Sequence, residues 1–583
     1  MLDEKKLSYY LTKSKSLENN FEKSTRIAIL SSFTLNGIEE IFKVKCAEKK
    51  INCVTYLGGY NQYNQEILNS ESKLYQFNPD IAFLILDTRS LLGDLWYSPY
   101  SLDAKQRKEF IEKKFEEIKN LIQTFMSISK SKLIISNFPI PTKSNYGIFE
   151  TKSKFGFQKM IATLNEYLQD FISNLDPVYL FDMNGFVTRH GENNVFDPKQ
   201  FLFGDIKISL DFIPHLTNDL IGYVIATLGL AKRCIVLDLD NTLWGGIVGE
   251  DGFDEIKLGS GPPGNAFVEF QKYLLGLYDR GILLAINSKN NPDDALEVIE
   301  KHPDMILRKK YFACMKINWN DKVSNMKEIS EELNFGLENF VFIDDDPINR
   351  EFMKSSLPQV LTVDLTPDPS KHVKILEEMN DFNVLKITYE DSKRGLMYSQ
   401  QKERKDFEKL SSNLQDFLKN MELKVTIKKA DNFTIPRISQ LILKTNQFNL
   451  TTKRYSLEDI QKFSQDDNML IGCAQVEDKF GDNGIAGAFI VQKNGTKEWI
   501  LDTFLLSCRV MGREIEKSIL GYIVKTAKDS GVEKIKANFI PTQKNKPIEN
   551  FLPDCGFKKQ DNSWIILLNE TFQIPDFITV EEK

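Results

Sequence analysis

The sequence predicts a multidomain α/β protein built on parallel sheets, and three observations carry that prediction. Short apolar runs alternate with helical patterns from residue 26 to residue 182, the rhythm of a doubly wound sheet. In mid-chain an apolar, β-branched strand starting at Cys234 runs into Asp238-Leu239-Asp240, and such strands are buried centrally and meet solvent only at their carboxyl ends. A chain of 583 residues is also too long for one hydrophobic core, so about three or four domains are expected. The reading places an α/β domain at 1–230, a Rossmannoid α/β domain at 231–366, a helical linker at 367–420 and an α+β domain at 421–583.

In the first domain the expected strands are RIAILSS (26–32), NCVTYLG (52–58), DIAFLIL (80–86), KLIISN (132–137) and VYLFD (178–182). This layout is similar to flavodoxin and SGNH-hydrolase-like domains, in which a serine follows the first strand and a late Asp and His complete a triad. Ser31 and Ser32 lie in the right place, but no Gly-Asp-Ser precedes Phe33, and Asp211 to His215 has the wrong spacing for the partner pair. A docking or lid role is therefore expected over an esterase, with Ser32 and His215 as internally satisfied polar groups.

The strand period of two points Asp238 and Asp240 the same way, into the crevice beyond the sheet edge. Taken alone, Asp-x-Asp after a strand is equally a helix cap or a solvated turn. Three later segments change the balance. The strand at 282–286 is followed by Asn287-Ser288-Lys289-Asn290, a hydroxyl and backbone N–H groups near a helix start, suited to phosphate oxygens. Lys322 opens an amphipathic helical run and can bring a point positive charge. The strand at 340–343 ends on Asp344-Asp345-Asp346, carboxylates that repel one another unless a cation or hydrogen bonds offset them. A hard cation such as Mg2+ takes such oxygen ligands together with substrate phosphate. These segments resemble the haloacid dehalogenase (HAD) superfamily of phosphotransferases. The resemblance implies Asp238 as nucleophile, Asp240 as general acid/base, and Thr242, Ser288 and Lys322 as phosphate binders. It implies Asp238, Asp240, Asp344 and Asp345 around the metal. The gaps from Asp240 to Ser288 and from Ser288 to Lys322 leave no room for a large cap domain, so a bulky or protein-tethered phosphate is admissible.

From Leu423 the pattern becomes a strand, a helix, the amide-rich Asn446 to Tyr455, two strands joined by EDKFGDN, and a strand running into Arg509-Val510-Met511-Gly512-Arg513. Ten residues so dense in amides, hydroxyls and aromatics call for something to hydrogen-bond them. A long helix is expected from about Gly512, whose N-terminus between two arginines suits phosphate. This resembles the GNAT acyltransferase fold and its coenzyme A loop, with Glu514 where a small residue belongs. Cys508, beside Arg509, has two readings: a nucleophile with a lowered pKa, or a small buried hydrophobe.

The blocks LDLDNTLWGGIVGEDG, NSKNN, FIDDDPINRE, KTNQFNLTTKRYS, DKFGDNGIAG and SCRVMGREIE, in this order, resemble the FkbH-like family over nearly the whole chain. Asp346 stands where asparagine is common. The resemblance implies transfer of the phosphoglyceryl group of 1,3-bisphosphoglycerate, removal of its phosphate, and loading of glyceryl onto an acyl carrier protein through the phosphopantetheine arm. Catalytic roles then fall on Asp238, Asp240 and Cys508, with Arg509, Gly512 and Arg513 on the distal phosphate. The alternative is a phosphatase–acyltransferase acting on a sugar phosphate or nucleotide-linked sugar in surface polysaccharide synthesis.

Composition is that of an ordinary globular protein: 42% hydrophobic and 27% charged residues. A net charge of −7 gives no footprint for nucleic acid. No long uncharged apolar run or signal-like start is present, so no membrane partner and a cytoplasmic location are expected. The seven scattered cysteines lack CxxC pairing and are expected to be reduced, without zinc or disulfides.

Overall fold

The computed structural model describes residues 4–583 apart from 18–19, 389–390, 392, 399, 401–413, 496, 562 and 570–571, and the side chains of Leu414, Gln415 and Cys508 also lie outside the described residues. Expected linker helices over 401–413 therefore fall outside the description. The chain forms two compact units, Met1–Ala231 with Ile375–Leu385, and Lys232–Lys374 with Lys386–Lys583. Among the described residues no helix is long and apolar enough to cross a membrane.

The first unit is built on β1 (Lys23–Ser31), β2 (Ile51–Leu57), β3 (Ile81–Ile85), β4 (Lys132–Ser136) and β5 (Val178–Phe181). All neighbours are parallel, in the order β2-β1-β3-β4-β5, the flavodoxin-like doubly wound arrangement with its switch point between β1 and β3. Alternation along the strands divides the core. Ile27, Ile29, Ile81 and Phe83 pack on one face with the helix Ile213–Thr227. Ala28, Leu30, Ala82 and Leu84 pack on the other with Ala104–Ile128 and Phe157–Ile172. The 25-residue helix starts at a capping box formed by Asp103 and Gln106. Residues 375–385 return to this unit, where Asn380 Nδ2 donates to the Asn218 carbonyl (2.6 Å) and Lys49 pairs with Asp381 (2.6 Å).

The second unit contains two sheets. One is five-stranded and parallel: β6 (Cys234–Leu237), β7 (Leu283–Ser288), β8 (Phe312–Ile317), β9 (Phe340–Asp344) and β10 (Leu361–Asp364), in the order β10-β9-β6-β7-β8. The other comprises β11 (Leu423–Lys429), β12 (Phe448–Asn449), β13 (Met469–Asp478), β14 (Gly481–Asn494), β15 (Glu498–Leu506), β16 (Lys534–Ala537), β17 (Lys558–Gln560), β18 (Ser563–Leu567) and β19 (Ile578–Glu582). Its order is β17-β18-β16-β15-β14-β13-β11-β19, with β12 paired to β15. Strands β11, β13, β14 and β15 are antiparallel, and β15–β16 is parallel. The helices Ile435–Lys444 and Leu457–Ser464 cover one face through Ile438, Leu441, Ile442 and Ile460. Ile515–Asp529 covers the other through Ile515, Ile519 and Ile523.

Two expectations about this sheet change. The helix expected from Gly512 begins at Ile515, because Gly512 (φ +77) and Glu514 (φ +60) both adopt left-handed backbone, which a right-handed helix cannot include. The amide-rich stretch is satisfied from within. Asn449 Oδ1 accepts from the Thr451 and Thr452 N–H groups (3.3 and 2.9 Å), Thr451 Oγ1 donates to the Asp502 carbonyl (3.0 Å), and buried Asn545 donates to the Asn449 carbonyl (3.0 Å).

Helical residues 393–398 are anchored to the five-stranded part of the unit. A Cβ at Gly281 (φ +94) would lie 2.2 Å from the Asp391 carbonyl oxygen, so only glycine allows this approach. Arg394 Nη1 then donates to the Gly281 carbonyl (2.9 Å), and the Tyr398 and Phe335 ring centroids lie 5.6 Å apart.

Candidate active site

Strand register builds the site. Leu237 of β6 pairs with Ile343 of β9 and with Ile286 of β7, so the residues one step beyond, Asp238 and Asp344, emerge side by side at the carboxyl edge. The Asp238 N–H continues the ladder to the Ile343 carbonyl (2.9 Å). Asp238, Asp344 and Asp345 each offer a carboxylate oxygen, all within 4.8 Å of one another. Lys322 Nζ lies 2.8 Å from Asp238 and 2.5 Å from Asp344.

Each member is held from behind. Asp321 caps the helix Lys322–Leu333 by accepting the Ser324 N–H, and Asn287 Nδ2 donates to the Lys322 carbonyl (2.8 Å), fixing where the lysine leaves the backbone. Asp344 Oδ1 accepts the Asp346 N–H (2.9 Å), and Asp346 in turn caps Pro347–Ser356. Arg350 donates to the carbonyls of Asp344 and Asp345 (2.9 and 2.6 Å).

Asp240 stands apart from the three-carboxylate group. Its Oδ1 accepts the Trp244 indole N–H (2.9 Å) and the Val248 N–H (3.1 Å), and Oδ2 accepts Asn290 Nδ2 (2.8 Å). These contacts occupy both oxygens, and Asp240 is not among the three carboxylates that lie within 4.8 Å of one another, whereas the resemblance placed it around the metal. Asn290 also reaches Ser288 Oγ (3.4 Å), linking Ser288 to Asp240. Asn290 and Trp244 were not singled out from sequence, although both lie inside the motifs that were.

Electrostatics separate the roles. Burial raises the Asp240 carboxyl above its ordinary range, against the stabilising Val248, Asn290 and Trp244 donors. Burial and then the Asp238 and Asp344 charges push Asp345 up to about 6, and burial with the Asp238 charge also raises Asp344. For Lys322, burial opposes the charge, but Asp238 and Asp344 outweigh it and hold the ammonium above the usual lysine range. Among the described residues, Asp238 Oδ1 is buried with no hydrogen-bond donor, and the buried Thr242 hydroxyl is likewise without a partner. A buried carboxylate oxygen lacking a donor, inside a cluster of hard oxygen groups, fits a Mg2+ ion held by Asp238, Asp344 and Asp345.

The remaining candidates sit in the third sheet. Arg513 is buried, its Nη1 3.2 Å from Asp478 Oδ2 and its Nη2 donating to the Arg509 carbonyl (2.8 Å). Its charge is neutralised internally, which corrects the expectation that it faces a phosphate. Gly512 is exposed, and Arg509 donates to Ser507 Oγ (3.2 Å). The Cys508 side chain lies outside the described residues, and the six other cysteines are buried thiols outside any disulfide among the described residues. In the first unit, buried Ser31 and Ser32 accept the N–H groups of Phe33 (3.1 Å) and Asp87 (2.7 Å). His215 packs against His190 and Phe212, with centroids 5.2 and 5.3 Å away. Among the described residues no hydrogen bond joins either serine to His215.

Residues 26–225 match the family described as FkbH, N-terminal domain. A solved structure of the N-terminal part of protein BF1531 from Bacteroides fragilis, containing a phosphatase domain and complexed with Mg, is 28% identical. It aligns with a TM-score of 0.60 over 65% of this chain and 99% of that one. A GNAT-family acetyltransferase from Staphylococcus aureus (14% identity, TM-score 0.20) covers 25% of this chain and 99% of its own. A Vibrio cholerae spermidine N-acetyltransferase (11%, 0.21) covers 25% and 97%. No curated protein sequence matches the chain. Residues 26–225 are thus similar to the FkbH N-terminal domain, and the five-stranded sheet of the second unit accords with the phosphatase-domain protein that the chain resembles.

Proposed function

We propose that this FkbH-like chain is a Mg2+-dependent phosphatase joined to an acyltransferase. It takes the phosphoglyceryl group of 1,3-bisphosphoglycerate, removes the remaining phosphate, and loads glyceryl onto the thiol of an acyl carrier protein. The observation that carries the reading is the juxtaposition of Asp238, Asp344, Asp345 and Lys322 at the carboxyl edge of a parallel sheet, with Asp240 held separately by three donors.

In the hydrolytic half, an Asp238 oxygen attacks phosphorus while the bond from phosphorus to the alkoxide breaks. The leaving oxygen takes the proton that burial favours on Asp240. Asp240 then removes a proton from water, which attacks the aspartyl-phosphate and releases inorganic phosphate. Lys322 balances charge on the phosphoryl oxygens throughout, and Thr242 and Ser288 supply hydroxyls to them. Bound Mg2+ would neutralise phosphate charge and orient it toward Asp238.

In the acyl half, the acyl phosphate is already activated, so a thiolate can displace its phosphate directly. Cys508 is the proposed acceptor, with direct transfer to the carrier thiol as the competing route. The absence of a large insertion between β6 and β7, where the helix Gly264–Asp279 is the main element, supports a substrate carried on a long arm.

The test is incubation of the full chain with 1,3-bisphosphoglycerate, Mg2+ and candidate carriers, read by intact mass of both proteins. Glyceryl-carrier from the parent and phosphoglyceryl-carrier from Asp238→Asn would support the reading. Loss of loading in Asp238→Asn would break the division of labour.

A further inference from the structure

Behind the Lys322 ammonium lies a chain of amide side chains that the chemistry above does not use. Asn325 sits in the first turn of the helix Lys322–Leu333, three residues after the lysine, and is fully buried beside apolar Val323, Met326 and Ile329. Asparagine is a poor helix former, and a buried amide is costly unless its partners are present. Here they are. Asn325 Nδ2 donates to Asn287 Oδ1 (3.1 Å) and to Asn318 Oδ1 (3.0 Å), and Asn325 Oδ1 accepts from Asn318 Nδ2 (3.3 Å).

Backbone groups at both ends of the chain fix its direction. The Lys322 carbonyl can only accept, so Asn287 must turn its Nδ2 to it (2.8 Å) and present Oδ1 to Asn325. The Asn320 N–H can only donate, so Asn318 turns its Oδ1 to it (2.9 Å). The Asn318 N–H in turn donates to the Ser288 carbonyl (3.1 Å), one step beyond the pairing of Ser288 with Ile317. Asn325 thus ties the first turn of the lysine helix to the end of β7, where Asn287 and Ser288 lie, and to the turn at 318–320. A buried network with every member satisfied rigidifies what it joins.

We propose that Asn325 and Asn318 are positioning residues, an amide clamp that holds the Lys322 ammonium in register with Ser288 and Asp238. The proposal rests on the phosphatase half of the reading above. It assigns these two residues an effect on the reaction that passes through Lys322.

The test is a double-mutant cycle on the full chain with Mg2+. Asn325→Leu keeps the branching of the side chain but not its hydrogen bonds, and is made alone and together with Lys322→Ala. Turnover of p-nitrophenyl phosphate and the affinity for orthophosphate, by calorimetry, are both read. Asn325→Leu should lower kcat by about 10–100-fold, the size of a small misplacement of a charged group, and should weaken orthophosphate. With Lys322 already alanine, it should change either quantity by no more than about twofold. Equal fold losses in both backgrounds would overturn the proposal, because a residue that only supports the fold acts whether or not the lysine is present. Asn318→Ala, at a half-buried position, should show the same dependence on Lys322 and decides the matter if Asn325→Leu does not fold. A parent that binds orthophosphate but hydrolyses no p-nitrophenyl phosphate would overturn the phosphatase reading instead, and the orthophosphate cycle then decides the clamp alone.

Discussion

Replacing Arg513 with methionine separates two roles that the sequence merged. Arg513 Nη1 lies 3.2 Å from Asp478 Oδ2, and the Asp478 side chain is fully buried. Asp478 also accepts Asn483 Nδ2 (3.1 Å) and the Phe480 N–H (2.9 Å), fixing the turn between β13 and β14. Those two donors remain in Arg513→Met, but the carboxylate loses the Arg513 guanidinium. Leaving one charge of a buried pair uncompensated costs about 3–5 kcal/mol. At roughly 2–4 °C per kcal/mol for domains of about 150–250 residues, the melting temperature should fall by about 6–20 °C. The double variant Asp478→Asn/Arg513→Met removes both charges and should regain much of the loss. Scanning calorimetry with 3-phosphoglycerate titration reads both quantities. An Arg513→Met chain that melts like the parent but no longer binds 3-phosphoglycerate would refute the structural role and return Arg513 to phosphate recognition.

Three further outcomes follow from the geometry. Asp240→Asn should slow Mg2+-dependent phosphate release by about 10²–10⁴-fold, the usual worth of a positioned acid/base, and burst kinetics should show phosphoenzyme accumulating. Lys322→Ala leaves Asp238 and Asp344 facing each other while buried; it should lower the melting temperature in chelator, and saturating Mg2+ should restore a larger share than in the parent. Lys444, with a pKa near 8, is about half neutral at pH 8, where an ordinary lysine is well under 1% neutral. Its neutral fraction falls as pH drops through 8, so acetylation by an activated ester, mapped by mass spectrometry, should be fast at pH 8 and slow at pH 6.5. Reactivity equal to that of surface lysines would contradict the lowering of Lys444 by burial and by Arg233 and Arg394.

Much of the carboxylate cluster's placement was legible because its logic is local. Each carboxylate ends an apolar strand, and parallel register alone places Asp238 beside Asp344. The doubly wound order of the first unit was legible for the same reason, since its strands are short apolar runs separated by amphipathic helices. What was not legible depended on distant partners. Arg513 looks like a phosphate ligand until Asp478, 35 residues earlier, is seen to occupy it. The stretch Asn446 to Tyr455 looks starved of partners until Asp502 and Asn545 arrive from other parts of the same sheet. The helix start moved because Glu514 takes left-handed backbone, a conformation that its residue type does not announce.

The most direct measurement of the central claim is chemical trapping at Asp238. The Asp240→Asn chain, mixed with Mg2+ and a phosphomonoester, is quenched, reduced with borohydride and mapped by peptide mass spectrometry, since an aspartyl-phosphate is reduced to homoserine. Homoserine at position 238, absent when Mg2+ or substrate is omitted, is the predicted result. Substrate turnover with position 238 unmodified, or homoserine at another aspartate, would contradict it.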